Sequence, residues 1–524
     1  MDDRWREFGE FPGYEFDVPR GPGQPRPGIG GAQWRDQGWP QQPSRERAGP
    51  QQPSREWAGP QQPSWERAGP QRRPSRPPLT PAEADQAPGP GRPGLLARDT
   101  LAAMRARNWL TSLAAPLVAA IAVGVAAVVV LGVNKGGDAA APSALAAGFP
   151  PARSAAADFG GGGRPVEVAA IAAGGATEVA VGSASRGCAL WVSVDGGSSW
   201  RRAALPPATA GQANAGQLAG VAHGPSGWLA VGGAAAAAAG PAAALRPAVI
   251  GSPDGLTWTV TGTGATFDGP GRTVTAGVSA GPGGYVIVGT ESTGPRTVAA
   301  AWYAPGLTGW RRAADARPGA LDGPGNRAMN AVSATGRGFV AVGAAGDRPA
   351  AWLSATGRTW TLVTLALPAG AASAAFDYVA ANGGVVAAVG TEVTAAGQRR
   401  PFAAVSTDAG AQWSPAQLPL PAGGGPAATA AATALTAAGG GFTATGTYGL
   451  PGETDVVVWT LPAGSAGGTA WTEAAPPGTG LAGPGVQAIT ALTATGATLT
   501  GVGFTATSAT AAAEPTIWQS PVRS

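Results

Sequence analysis

One short pattern, an apolar strand closed by glycine, recurs seven times in the C-terminal part of this 524-residue chain. The copies are EVAVG (178 to 182), WLAVG (228 to 232), YVIVG (285 to 289), FVAVG (339 to 343), VAAVG (386 to 390), FTATG (442 to 446) and LTGVG (499 to 503), spaced by roughly 47 to 57 residues. A period of that size is long enough for a four-stranded sheet and matches a propeller blade. Each copy follows an apolar strand and a glycine turn, and precedes a third strand that runs into a turn and a tryptophan, as in ALWVSVDGGSSW (189 to 200) and AAWLSATGRTW (350 to 360). Small apolar residues alternating between glycine turns suit strands buried between neighbouring sheets. The expected fold is therefore all-β, a seven-bladed β-propeller over residues 161–524, closed so that few sheet edges stay open. The seventh copy stops at TIWQSPV (516 to 522), before its fourth strand. The segment around Phe149 to Arg153 is expected to supply that strand and close the ring.

A second feature fixes the address. Residues 109–133, WLTSLAAPLVAAIAVGVAAVVVLGV, hold no ionisable side chain. About 25 residues at 1.5 Å each make roughly 37 Å of helix, enough for a hydrocarbon core of about 30 Å. The twelve Leu, Ile and Val residues contribute roughly −4 to −7 kcal/mol on an insertion scale, which outweighs Thr111, Ser112, Pro116 and two glycines. Arg92, Arg98, Arg105 and Arg107 precede this transmembrane helix and only Lys135 follows it closely. The positive-inside rule then places the N-terminus in the cytoplasm and the propeller outside the cell membrane, beyond a stalk at 134–160.

The cytoplasmic segment, 1–108, shows no sustained apolar period and is expected to be a disordered Pro-rich region. Within 41–80 a decapeptide repeats as QQPSRERAGP, QQPSREWAGP and QQPSWERAGP. Proline at two fixed places per repeat favours an extended, solvated backbone, and the regular Arg and Trp residues make a multivalent docking tail for a cytoplasmic partner a second reading. Met104 opens a stretch laid out like a secretory signal, but the apolar run exceeds the roughly 7–15 residues usual for a signal core, so an anchored chain is expected.

Composition removes several functions. Cys188 and His223 are the only cysteine and histidine, so no intrachain disulfide, two-histidine zinc site or cysteine cluster is available. No metal and no cofactor are expected. Lys and Arg number 35 against 31 acids, a near balance that gives no support for nucleic acid binding.

The turns after the third strands carry a nameable pattern. Ser193-Val194-Asp195-Gly196-Gly197-Ser198-Ser199-Trp200 and Ser406 to Trp413, with Asp408 and Gly410, read S-x-D-x-G-x-x-W, and Ser252 to Trp258 with Asp254 is one residue shorter. The C-terminal region thus resembles the Asp-box, or BNR-repeat, propellers, a sialidase-like group that includes hydrolases and non-catalytic binding proteins. The resemblance implies that Ser193, Asp195, Gly197, Trp200, Asp254, Trp258, Asp408, Gly410 and Trp413 are structural turn residues at the rim. Sialidases use a tyrosine nucleophile with a carboxylate and three arginines. Here the Arg-Ile-Pro signature is missing, and Asp377-Tyr378 is the only acid–tyrosine pair on the first strands.

Arg164, Arg272 and Arg327 each fall just before a first strand. That spacing predicts one face around the ring mouth, suited to an acidic peptide or glycan. The function expected is a membrane-anchored, non-catalytic binding or scaffolding module in the cell envelope, with no catalytic residue assigned and an unidentified protein or glycan ligand on the outer face. A sialidase-like exo-glycosidase and a transmembrane sensor are the alternatives.

Overall fold

The computed structural model describes residues 153–154, 159, 166–185, 187–206, 216–235, 245–262, 266–269, 271–422, 428–465, 471–474, 481–496, 498–509, 511 and 513–522. The apolar stretch 109–133, the decapeptide repeats and Arg164 lie outside the described residues. Among those described, no helix is long and apolar enough to cross a membrane.

Strand β1 (Arg153–Ser154) is followed by an antiparallel meander of β2 (Val166–Gly174), β3 (Thr177–Ala184), β4 (Gly187–Ser193) and β5 (Arg201–Arg202). The second meander is β6 (Gly216–Gly224), β7 (Gly227–Ala235), β8 (Leu245–Ser252) and β9 (Thr259–Gly262). The third is β10 (Arg272–Gly281), β11 (Gly284–Thr293), β12 (Arg296–Ala304) and β13 (Arg311–Arg312). A short β14 (Ala314–Asp315) then crosses over to lie parallel to the outer strand of the fourth meander, which is β15 (Arg327–Thr335), β16 (Gly338–Ala345), β17 (Arg348–Ser354) and β18 (Thr359–Thr364). The fifth is β19 (Ala371–Asn382), β20 (Val385–Thr394), β21 (Arg399–Ser406) and β22 (Ser414–Gln417). The sixth is β23 (Thr429–Ala438), β24 (Gly441–Leu450), β25 (Glu453–Leu461) and β26 (Thr472–Ala474). The last is β27 (Val486–Thr495), β28 (Thr498–Ala506) and β29 (Glu514–Pro521), and it shares a sheet with the sixth through one parallel pairing, Thr454 with Val486.

The first strands pack in sequence, β2 on β6, β6 on β10, β10 on β15, β15 on β19, β19 on β23 and β23 on β27, and β27 returns to β2. Meanders arranged in such a closed cycle are a β-propeller. The outer strand that the last meander lacks is β1, which pairs antiparallel with β29 at Arg153–Ile517 and Ser154–Thr516. The fold therefore begins N-terminal to 161. Phe159, read from the sequence as stalk, is fully buried against Trp191 and Trp200, at 4.9 and 5.7 Å between ring centroids.

The glycine that ends each repeated motif has a steric cause. Every first strand carries a bulge at the same place, between Val168 and Ala170, Leu218 and Gly220, Thr275 and Gly277, Met329 and Ala331, Phe376 and Tyr378, Ala432 and Ala434, and Ile489 and Ala491. Gly182, Gly232, Gly289, Gly343, Gly390, Gly446 and Gly503 pair opposite the residue before the bulge. A Cβ on any of them would run into a backbone carbonyl of the first strand, that of Ala375 in the case of Gly390. The motif records a backbone approach that no side chain tolerates.

Between neighbouring meanders the first three strands supply the core. Leu229, Val231 and Val249 of the second meander meet Val278, Ile287 and Trp302 of the third. Burying each such aliphatic side chain contributes about 1.5–3 kcal/mol. The third-strand tryptophans also hold the connections. Trp191, Trp302, Trp352 and Trp459 donate their indole N–H groups to the carbonyls of Phe159, Thr266, Ala320 and Pro419, at 3.2, 2.7, 2.7 and 2.6 Å. Each acceptor lies on the segment that leads in from the preceding meander. One residue type thus buries a large ring and satisfies a connecting loop.

Candidate functional site

The three Asp-box turns share one geometry. Ser193 Oγ donates to Asp195 Oδ1 at 2.7 Å and accepts from Gly197 N at 2.8 Å. Asp195 in turn accepts from Ser199 N at 2.9 Å, and Trp200 Nε1 donates to Gly197 O at 3.1 Å. The same bonds form around Asp254, where Ser252, Leu256 and Thr257 are the donors, and around Asp408, where Ser406 and Gln412 are. The tryptophan closures are Trp258 to Gly255 at 2.9 Å and Trp413 to Gly410 at 2.8 Å. Hydrogen bonds to the ionised carboxyl hold Asp195 down at about 2, chiefly those from Ser199, and lower Asp254 and Asp408 in the same way. Among the described residues, the bonds to these carboxylates all come from their own turns.

The turn survives where the aspartate is gone. Ser354 Oγ still accepts from Gly357 N at 2.7 Å and Trp360 Nε1 still donates to Gly357 O at 3.1 Å, with Thr356 in the acid's position. In the Ser354 turn the serine hydroxyl and the indole, rather than a carboxylate, hold the device together.

The arginines expected around one mouth part company. Arg272 opens β10 and is exposed. Arg327 is only 7 % exposed, and its guanidinium donates to Ala320 O at 2.9 Å with Gly323 packed against it. Its neighbour Arg296 donates to Asp322 O and to Gly323 O. Arg327 is therefore a brace for the loop between β14 and β15, not a side chain free on a concave face. Desolvation lowers its pKa, the opposite of what a solvated anion-binding group shows. Arg164 lies outside the described residues.

The bulged positions form a belt that sequence reading did not single out. They are Ala169, Ala219, Ala276, Asn330, Asp377, Thr433 and Thr490. Asn330 Nδ2 donates to Phe376 O at 2.8 Å, Thr433 Oγ1 to Ile489 O at 2.5 Å and Thr490 Oγ1 to Val168 O at 2.6 Å. In each case a bulged side chain bonds the carbonyl just before the next meander's bulge. The glycines opposite the bulges were the legible signal; the polar residues beside them had no motif of their own.

Asp377 is the belt's one carboxyl. Thr391 Oγ1 donates to its Oδ2 at 2.9 Å. Desolvation dominates that bond and the more distant Arg399 charge, and pushes the carboxyl up to about 6. Tyr378 is raised as well, by burial first and then by the Asp377 charge. A nucleophilic phenol needs the reverse shift, so this pair has the residue types of a sialidase nucleophile without its electrostatics.

No protein-family profile matches the chain, and no curated protein sequence does. Among solved structures it is similar to YCF48 bound to a D1 peptide, at 14% identity over 58% of this chain and 94% of that one, with a TM-score of 0.29. The phage phi92 endosialidase is similar at 12% identity over 69% and 68%, TM-score 0.38. So is the Penicillium chrysogenum alpha-L-arabinanase complexed with arabinobiose, at 15% identity over 57% and 92%, TM-score 0.34. The β-propeller assignment rests on the strand order and ring contacts.

Proposed function

We propose that this chain is a single-pass membrane protein whose C-terminal domain is a seven-bladed β-propeller held outside the cytoplasm, where it acts as a non-catalytic binding or scaffolding module. The seven repeated motifs, the seven bulges and the cycle of first strands support the blade count. The apolar run at 109–133 and its arginine-rich upstream flank support the anchor and its orientation.

The observation that carries the binding reading is the commitment of the candidate catalytic groups to structure. Arg327 braces a loop through Ala320 O, and the Tyr378 phenol is held in its neutral form beside Asp377. Exposed Arg272 is the described arginine left free for anion binding, and Arg164 is tested beside it. The test is saturable binding of the full chain to fractionated envelope glycans and acidic peptides, beside an Arg164→Ala/Arg272→Ala variant and a sialoside hydrolysis assay. Binding lost in the variant without hydrolysis in either protein is the expected outcome. Turnover that depends on Tyr378 would replace this reading with the glycosidase.

Orientation has a clean assay because Cys188 is the only cysteine and is buried, with its thiol pushed up to about 11 by desolvation. Ser44→Cys and Ser143→Cys, one on each side of the apolar run, should label with a membrane-impermeant maleimide in intact cells only at position 143. Labelling at 44 would invert the topology.

A further inference from the structure

The belt of bulges has one member whose part in it depends on a proton. Three of its side chains are donors, and each points at the same kind of acceptor, the carbonyl preceding the next bulge: Asn330 to Phe376, Thr433 to Ile489, Thr490 to Val168. By that register the acceptor for Asp377 is Ala432 O, since Ala432 precedes the bulge at Thr433. An ionised carboxylate has no proton to donate and would set one lone pair against another. A protonated one donates as Asn330 does.

We propose that Asp377 is a proton-operated clasp between the fifth and sixth meanders: protonated, it donates to Ala432 O and completes the belt, and ionised, it releases that contact. The groups around it fit. On its own meander Thr391 donates to Oδ2, which leaves Oδ1 for the clasp, and Arg399 of β21 is the charged group that acts on it. Its strand neighbour Tyr378 is neutral. The flanking first strands present Asn330 from β15 and Thr433 from β23 at the equivalent positions, both uncharged. Arg399 opposes the proton and burial favours it, with burial the larger.

The linkage sign follows from a carboxyl raised above its unfolded value. Below about pH 4 both folded and unfolded chains carry the proton; between about 4 and about 6 only the folded one does. The folding equilibrium constant should therefore fall with rising pH across that window, by up to about 100-fold, and level off above it. Asp-box carboxylates act below this window and with the opposite sign.

The experiment is denaturant unfolding of the full chain from about pH 4.5 to about pH 7.5 for the wild type, Asp377→Asn and Asp377→Thr, with the infrared band of protonated carboxyl read on the same samples. Asparagine and threonine are the residues that make this bond elsewhere in the belt. Both variants should lose the fall in stability attributed to Asp377, and the wild-type-minus-variant spectrum should show a protonated carboxyl at acid pH that titrates away. Identical pH profiles in wild type and Asp377→Asn, or a difference spectrum without that band, would overturn the clasp. So would failure of both variants to fold where the wild type does, because a permanent donor should suffice.

Discussion

Two seams of the ring are built differently. Between the fourth and fifth meanders the side-chain contact is chiefly apolar, with Val340, Val342 and Ala351 facing Ala374, Phe376, Val386 and Phe402, beside the one belt bond from Asn330 to Phe376 O. Between the last and the first it also carries a network of directional bonds. Glu178 is fully buried there and accepts from Thr495 Oγ1 and Thr500 Oγ1, each at 3.1 Å, and Gln519 Nε2 donates to Gly196 O in the first Asp-box turn at 2.7 Å. Thr490 adds its bond to Val168 O. The first seam joins consecutive stretches of chain, so short connections bring its partners together. The second joins residues more than 300 positions apart. Burial is non-directional, whereas a buried carboxylate that needs two particular hydroxyls rejects a shifted register. At the fourth–fifth seam apolar packing with a single belt bond thus serves where chain connectivity supplies the partner, and a buried carboxylate with two hydroxyl donors is added where the ring must recognise its own end.

The largest expected effect tests the apolar seam. Phe376→Ala removes a fully buried ring that lies 5.0 Å from Phe402 and 5.8 Å from Trp413, and should cost about 3–5 kcal/mol by denaturant unfolding. A loss below about 1 kcal/mol would mean that this seam is loosely packed and that the contrast between the seams is false.

Next come Gly390→Ala in the fifth meander and Gly503→Ala in the last. Each added Cβ meets a first-strand carbonyl, of Ala375 and of Ala488 respectively, so each should cost about 1–3 kcal/mol. The bulge is common to both meanders, and similar losses are expected. A loss confined to one would show that seam chemistry reaches into the bulge.

Thr500→Val addresses the polar seam alone. It takes one donor from the buried Glu178 carboxylate and should cost about 1 kcal/mol at neutral pH. Glu178 is raised by burial, against the hydroxyl bonds and helped by the Asp195 charge, so the stability it affects declines as pH climbs from the unfolded value through the raised one. Glu178→Gln should flatten that decline and leave the acid limb unchanged. An unaltered pH profile would remove the carboxylate from the account of ring closure.

How much of this was legible follows from where each signal resides. The ring could be read because its constraint is repeated: seven glycines at one register, each forced by the same carbonyl, write a period into the chain. Closure by β1 followed from counting strands in the last unit. The start of the fold was misplaced because Phe159 stands alone among alanines and glycines, and its burial depends on Trp191 and Trp200, about 30 to 40 residues away. Arg327 was misread for a related reason. Position before a first strand does not reveal that Ala320 O waits for its guanidinium. Asp377 was noticed for its neighbour Tyr378, whereas its significance comes from being the belt member that cannot donate while ionised.

The smallest effect separates the rim from both seams. Asp195→Ala and Asp408→Ala remove carboxylates that are exposed and half-exposed respectively and bonded only within their own turns, while the serine–glycine and tryptophan–glycine bonds stay. The Ser354 turn already works in that form, with Thr356 in the acid's place. Solvent screening shrinks the contribution of an exposed carboxylate, so each loss at neutral pH should stay under about 1 kcal/mol. Its pH dependence is the sharper signature. A carboxyl held below its unfolded value stabilises the fold at neutral pH and loses that contribution as pH falls from about 4 toward about 2. The variants should therefore converge on the wild type in acid, the reverse of Asp377→Asn. A loss at neutral pH as large as that of Phe376→Ala would mean that the boxes, rather than the buried seams, hold the blades together.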